Sequence, residues 1–280
     1  MKAIKYNGQR IAAPGAYFNV PIEDYHGGHL CDGWSVSSTG LKRVLQSPAH
    51  FWCRSPRNPA RVPEVYGSAL TEGSAVHVAA FEPEKFAEQF VVSEYDDFRS
   101  KEAKAWKLAQ QEAGRAVLKA EQMERIQRMG DALRRSPFAR TLFSAGLPEL
   151  TFVAKDEPTG IWLQARPDWV PADPARGLVD LKTASTADPE DWSRKAFDLG
   201  YPIQAALALH CVQQATGETR PAFWFVVVEN DAPHCVTILR LEEEQIAYGA
   251  GRMRDALDRL ARCIETGQWP GYAEEPVSVI

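Results

Sequence analysis

The sequence predicts an α/β fold, with a central mixed sheet flanked by helices and a mainly helical N-terminal half. Three observations predict it. Helix formers and small-residue stripes dominate the first half, and the period changes to strand alternation after Pro148. Residues 222–229 (AFWFVVVE) then form a continuous apolar run of the kind found in a strand covered on both faces.

Taken in order, the first thirty-odd residues are rich in Gly, Pro and Asn and read as irregular. Ser37, Ser38 and Thr39 offer caps for a helix over 40–46, stopped at Ser47-Pro48. Residues 49–53 begin another short helical turn, and 54–63, with Pro56, Pro59 and Pro63, form a loop. Residues 68–81 place Ala69, Leu70, Ala75, Val76, Ala79 and Ala80 among small neighbours, which predicts a helix packed closely on its surroundings and ended by Glu82-Pro83. Residues 85–92 finish in a short strand. A helical stretch over 101–135 is interrupted near Gly114 and again near Gly130. Residues 149–154 and 161–166 alternate, and 178–182 follow a Gly-containing turn, so three strands in a meander are the simplest arrangement. A long helix over 189–214 bends at Gly200-Tyr201-Pro202. After the apolar strand, a further strand over 234–241 leads into a helix over 242–266, closed at Gly267.

With 280 residues, 45% of them apolar, the chain supports a sizeable core. The organisation expected is an irregular segment over 1–35, a single domain over 36–270 and a tail over 271–280. No run approaches the roughly 18 apolar residues of a membrane span. The N-terminus, with Lys2, Lys5, Asn7 and Arg10, lacks the apolar centre of a secretory signal, so a cytoplasmic protein is expected. The five cysteines are scattered and form no C-x-x-C pair, which reads as free thiols in a reducing compartment. The net charge of −5 conceals a division. Residues 41–63 hold five basic residues, among them Arg43 and Arg54, and no acidic one, while 99–140 hold eleven basic and five acidic. Two segments can therefore face a polyanion while the rest keeps the chain soluble, although solvated helix faces would look the same.

The chemistry lies in Arg166-Pro167-Asp168-Trp169 and Asp180-Leu181-Lys182-Thr183, with eleven residues between Asp168 and Asp180. If these are neighbouring strands, the turn brings Asp168 beside Asp180, and the period of two puts Asp180 and Lys182 on one face with Leu181 in the core. Two carboxylates with a backbone carbonyl form a partial shell for a hard cation such as Mg²⁺. Such an ion lowers the pKa of a bound water and neutralises charge developing on a phosphate. Lys182, its pKa depressed near a cation, would orient or deprotonate that water. An exposed strand pair with Asp168 closing a turn would give the same D-x-K spacing. The apolar strand, the second carboxylate and Glu149 at the start of the strand before favour the site.

These residues resemble the PD-(D/E)xK nucleases, with Pro167-Asp168 and Asp180-Leu181-Lys182 as the signature. The likeness is strongest to the RecB-like exonucleases of the exodeoxyribonuclease VIII (RecE) type. It extends to Glu72-Gly73-Ser74-Ala75-Val76-His77, similar to a family helix that supplies a histidine metal ligand, and to Ser47-Pro48-Ala49-His50-Phe51-Trp52. Together these motifs span residues 25–270. The resemblance implies His77, Asp168, Asp180 and the Leu181 carbonyl as metal ligands, Mg²⁺ or also Mn²⁺ as the ion, and catalytic roles for Asp168, Asp180 and Lys182. Glu149 corresponds to an acidic residue near the metals in many such folds, though Pro148-Glu149 also suits an ordinary strand start. The family's Gln-x-x-x-Tyr motif is met by Gln204, but the fourth residue on is Ala208; Tyr201, three residues before, is its partial substitute. Arg43, His50, Trp52, Arg54, Arg166 and Tyr201 are the expected DNA contacts.

The implied activity is metal-activated hydrolysis of linear double-stranded DNA from its ends, 5′→3′, in phage-type recombination. The implied assembly is a ring-shaped homo-oligomer working with a single-strand annealing protein. An endonuclease on the same fold and a non-catalytic DNA-binding module are the alternatives.

Overall fold

The computed structural model describes residues 1–62 and 68–273. Pro63, at the end of the expected loop, and 274–280 of the expected tail lie outside the described residues. The first third of the chain runs β1 (Ala3–Lys5), β2 (Gly15–Phe18), α1 (Ile22–His26), β3 (Ser35–Val36), α2 (Ser38–Gln46), α3 (Pro48–Arg54) and α4 (Ser68–Phe81). There follow α5 (Phe86–Gln89), β4 (Phe90–Val92), α6 (Lys101–Glu112), β5 (Ala116–Leu118), α7 (Ala120–Arg135) and α8 (Pro137–Leu142). The catalytic half, as the sequence reads it, holds β6 (Gly146–Pro148), β7 (Thr151–Lys155), β8 (Trp162–Ala165), β9 (Trp169–Pro171) and β10 (Leu178–Ala184). It closes with α9 (Pro189–Asp198), α10 (Tyr201–Thr216), β11 (Phe223–Glu229), β12 (Val236–Arg240) and α11 (Glu243–Thr266). Among the described residues, no helix is long and apolar enough to cross a membrane.

The mixed α/β architecture is present, but in place of one central sheet there are two five-stranded sheets, ordered β1-β2-β7-β8-β3 and β12-β11-β10-β9-β6, and a parallel pair of β4 and β5. The expected meander is divided between the two five-stranded sheets. Strands β7 and β8 pair antiparallel in the first sheet, whereas β9 pairs antiparallel with β10, and β10 pairs parallel with β11, in the second. The alternation in 149–166 was real; Pro167 removes a backbone donor just where the chain leaves one sheet for the other. The expected irregular segment contributes β1, β2 and β3, of three, four and two residues, which are too short to carry a readable alternation.

Strands β10 and β11 are covered on both faces. Leu178, Phe223, Phe225 and Val227 pack with Leu41, Val44, Ile203, Leu207 and Leu257 from α2, α10 and α11. Val179, Leu181, Val226 and Val228 pack with Val76, Ile126, Met129 and Leu133 from α4 and α7. Each fully buried Leu or Phe contributes about 1.5–3 kcal/mol. The break expected at Gly130 does not occur: α7 runs through it because Ile126, Met129 and Leu133 form one buried stripe. The bend expected near residue 200 is a full break, with Gly200 at φ +66 between α9 and α10.

Candidate active site

The chain passes between the sheets twice, at Glu149-Leu150 between β6 and β7 and at Arg166-Pro167-Asp168 between β8 and β9. The two crossings lie side by side, since the Glu149 N–H donates to the Asp168 carbonyl at 3.2 Å. Glu149 has φ +50, a left-handed conformation that costs a residue with a Cβ about 1–2 kcal/mol. On the neighbouring strand the Leu181 N–H donates to Asp168 Oδ2 at 2.6 Å. His77, near the end of α4, brings Nδ1 to 3.4 Å from the same oxygen. His77, Glu149 and Asp168 thus offer ligand atoms that all lie within 4.8 Å of one another.

The helix behind His77 is fixed from both sides. Glu72 accepts hydrogen bonds from Gln122 Nε2 at 2.7 Å and from Arg125 Nε and Nη2 at 3.1 and 2.9 Å, which ties α4 to α7. Phe81 stacks on Trp169 with ring centroids 5.7 Å apart, and a Cβ placed on Gly73 would lie 3.4 Å from Thr183 Oγ1, so α4 runs close to β10.

Asp180 and Lys182 share the other half of the site. Asp180 Oδ2 lies 2.5 Å from Lys182 Nζ, and Oδ1 accepts from Gln204 Nε2 at 2.7 Å. The Lys182 ammonium sits 5.1 Å from the centroid of Tyr201, which stacks on Phe225 at 5.0 Å. The strand period therefore delivers both side chains to the α10 face, while the Leu181 side chain enters the opposite core.

The electrostatics follow from burial and from one excess carboxylate. Burial and the neighbouring Asp168 push Glu149 up to about 8. The same two causes push Asp180 up to about 6, against the pull of Lys182. For Asp168 the burial effect is outweighed by His77, Lys182 and the Leu181 N–H, so its carboxyl is held below the ordinary range. His77 is correspondingly raised: burial favours the neutral ring, and Asp168 overrides it. Burial also works against the Lys182 charge, yet Asp180 and Asp168 hold its pKa above the usual lysine value.

A family model described as a PDDEXK-like domain of unknown function matches residues 37–278. The chain belongs to this PDDEXK-like family, within the PD-(D/E)xK nuclease superfamily. No curated protein matches it. Its fold is similar to the crystal structure of a candidate exonuclease from Eubacterium rectale, at 14% identity and TM-score 0.63, covering 93% of this chain and 94% of that one. An alkaline exonuclease from Laribacter hongkongensis matches at 18% identity and TM-score 0.24, over 66% of this chain and 97% of that one, a likeness too slight to carry an argument.

In this PDDEXK-like domain the other expected site residues divide into three groups. Gln204 and Tyr201 reach the Asp180–Lys182 half, the Tyr201 ring lying 5.1 Å from the Lys182 ammonium. Arg43 and Arg54 line a cavity of about 330 Å³ together with Arg57 and Arg61. His50, Trp52 and Arg166 face the chain itself. His50 Nδ1 lies 2.6 Å from Ser47 Oγ, and Trp52 stacks on Trp269 with centroids 4.6 Å apart and planes 8° from parallel. Arg166 donates from Nε to Thr151 Oγ1 at 2.8 Å and from Nη2 to the Val20 carbonyl at 3.0 Å, with its guanidinium 4.3 Å from the Tyr25 ring. Its fork braces the sheet crossing. The charge excess in 99–140 is reduced locally by pairs such as Arg128–Glu124 and Arg134–Asp131. Lys42, which the sequence places only within the basic run over 41–63, donates from Nζ to the Leu199 carbonyl at 3.1 Å beside Tyr201.

Proposed function

We propose that the chain is a divalent-metal-dependent deoxyribonuclease that degrades linear double-stranded DNA from its ends. The observation that carries this reading is the joining of two half-sites through the Asp168–Leu181 hydrogen bond: His77, Glu149 and Asp168 on one side, Asp180, Lys182 and Gln204 on the other. One imidazole and two carboxylates, one of them pushed up to about 8 by burial and by Asp168, suit a hard or borderline divalent cation. His77, Glu149 and Asp168 would hold Mg²⁺ or Mn²⁺, with the Leu181 carbonyl beside them, because the N–H and C=O of one strand residue leave the same edge and this N–H faces Asp168. Asp180, the further expected ligand, lies beside Lys182 and accepts from Gln204 through Oδ1, while its buried Oδ2 accepts no hydrogen bond and is open to the ion.

An ion so held lowers the pKa of a bound water and offsets charge on the phosphate. The protein's own residues do the rest. Asp180 keeps Lys182 charged, and Gln204 fixes Asp180, so the ammonium is aimed and can orient the attacking water and stabilise the phosphorane-like charge. Basic residues on 41–63 would track the backbone without reading base sequence. Polarity of 5′→3′, a ring-shaped homo-oligomer, a single-strand annealing partner and a place in phage-type recombination are part of the proposal on the strength of the family resemblance alone.

The test compares a linear duplex with a closed circle in the presence of Mg²⁺ or Mn²⁺, using the native protein, Asp180→Ala and Lys182→Ala. Metal-dependent loss of linear DNA only, abolished in both variants, is expected. Cutting of the circle would replace the exonuclease with an endonuclease, and inertness toward every DNA would leave a binding module.

A further inference from the structure

Lys42 lies on the middle turn of α2, and its aliphatic stem packs against Gly200, where a Cβ would stand 2.6 Å from Lys42 Cδ. That contact carries the ammonium to the corner between α9 and α10. There it donates to the Leu199 carbonyl at 3.1 Å and lies 5.9 Å from the centroid of Tyr201, the ring that also carries Lys182 at 5.1 Å. Two ammonium groups therefore share one aromatic ring. Lys182 has its carboxylate partner in Asp180, but among the described residues no carboxylate pairs with Lys42. An ammonium has three donors, and one neutral carbonyl satisfies one of them. Burial and the neighbouring Lys182 also destabilise its charge, lowering it to about 8. A lysine held charged-side to a second lysine without its own anion is a poor structural element. It is well suited to an anion that arrives from solution.

Accepting the nuclease reading, on which this rests, we propose that Lys42 is a substrate-positioning residue that binds a nonbridging oxygen of the DNA phosphate adjacent to the scissile one. Lys182 serves the scissile phosphate and Lys42 its neighbour, so successive phosphates of one strand meet successive ammonium groups across Tyr201. The site reads the backbone and carries no base preference.

The experiment measures DNA affinity with Ca²⁺ replacing the catalytic ion, across a salt series, for the native chain, Lys42→Met, which keeps the stem against Gly200, and Lys42→Arg. One phosphate contact fewer should reduce the slope of log affinity against log salt by about 0.9 in Lys42→Met, and Lys42→Arg should restore it. Turnover with Mg²⁺ should show KM raised about tenfold or more in Lys42→Met, with a smaller fall in kcat. An unchanged salt slope in a Lys42→Met protein that melts like the native one would overturn the proposal, as would failure of Lys42→Arg to restore it. Native protein that binds DNA with the expected slope but never cleaves would refute the nuclease reading and leave the phosphate contact standing. Native protein that binds no DNA would refute both.

Discussion

Glu149→Gln removes one charge from the crowded end of the site while keeping the side chain's shape and its left-handed backbone. In the folded chain this carboxyl titrates at about 8, against an ordinary value of 4.5. A raised folded-state pKa means that the unfolded chain releases the proton first, so the stability present below pH 4.5 is lost as pH rises toward 8. Asp180 and His77 are shifted in the same sense and add to the trend. The gap of about 3.5, at about 1.4 kcal/mol per pH unit, bounds the loss at roughly 5 kcal/mol. Partial exposure of Glu149 reduces this to about half, ~2.5 kcal/mol. Without divalent ions, Glu149→Gln should therefore melt higher than the native chain at pH 8, by roughly 5 °C for a chain of this size, and almost equally at pH 5. Excess Mn²⁺ should reverse the order at pH 8, because the native protein gains the stabilisation of a bound ligand and the variant gains little. Thermal melts at the two pH values, with chelator and with metal, decide the matter. Equal melting at pH 8 in chelator would refute the charge argument, and equal stabilisation by Mn²⁺ would remove Glu149 from the ligand set.

Lys182→Met leaves Asp180 buried without its cation, so cleavage should fall by about 10²–10³ and stability by about 3 kcal/mol, more at pH 8 than at pH 5, where Asp180 takes up a proton; digestion assays and melts at both pH values check this. Gln204→Ala frees Asp180 Oδ1, and metal-dependent cleavage should drop about tenfold; an unchanged rate would make Gln204 a packing residue. In α11, Gly249→Ala would put a Cβ 2.0 Å from the Pro202 carbonyl oxygen at the start of α10, so denaturant titration should show a loss of about 2 kcal/mol or more. Gly251→Ala on the same helix meets nothing within 4 Å and should instead gain about 0.5–1 kcal/mol.

Chemistry was more legible than topology. The alternation Asp180-Leu181-Lys182 on an apolar strand needs only the period of two to put both charges on one face, and the contact at 2.5 Å follows from it. Gln204 was singled out by the family's Gln-x-x-x-Tyr motif rather than by any periodicity, and its bond to Asp180 follows from α10 lying on that strand. The division into two sheets was not readable. It depends on the chain leaving one sheet at Pro167 and at Glu149, and a crossing and a hairpin present the same local pattern. The stacking of Trp52 on Trp269 was not readable, because a partner more than two hundred residues away lies beyond any local pattern. Lys42 was legible only as a member of the basic run, since a charge run does not say which member turns inward.

The split of the sheet explains why Glu149 was the most ambiguous residue in the sequence. At a strand start, a glutamate ordinarily points to solvent and stays ionised. Here the strand start is also a crossing, and the left-handed backbone at φ +50 accompanies a carboxyl placed against Asp168. Asp168 already has His77 and the Leu181 N–H, and Asp180 has Lys182 and Gln204 beside it. Glu149 makes no ion pair among the described residues and carries both backbone and charge strain. A position that costs stability in two ways and is not offset by a local partner is one that a bound cation would relieve. On the proposed nuclease reading, that relief would come from a divalent cation at the crossing between the sheets, with the lysine strand left to handle the phosphate.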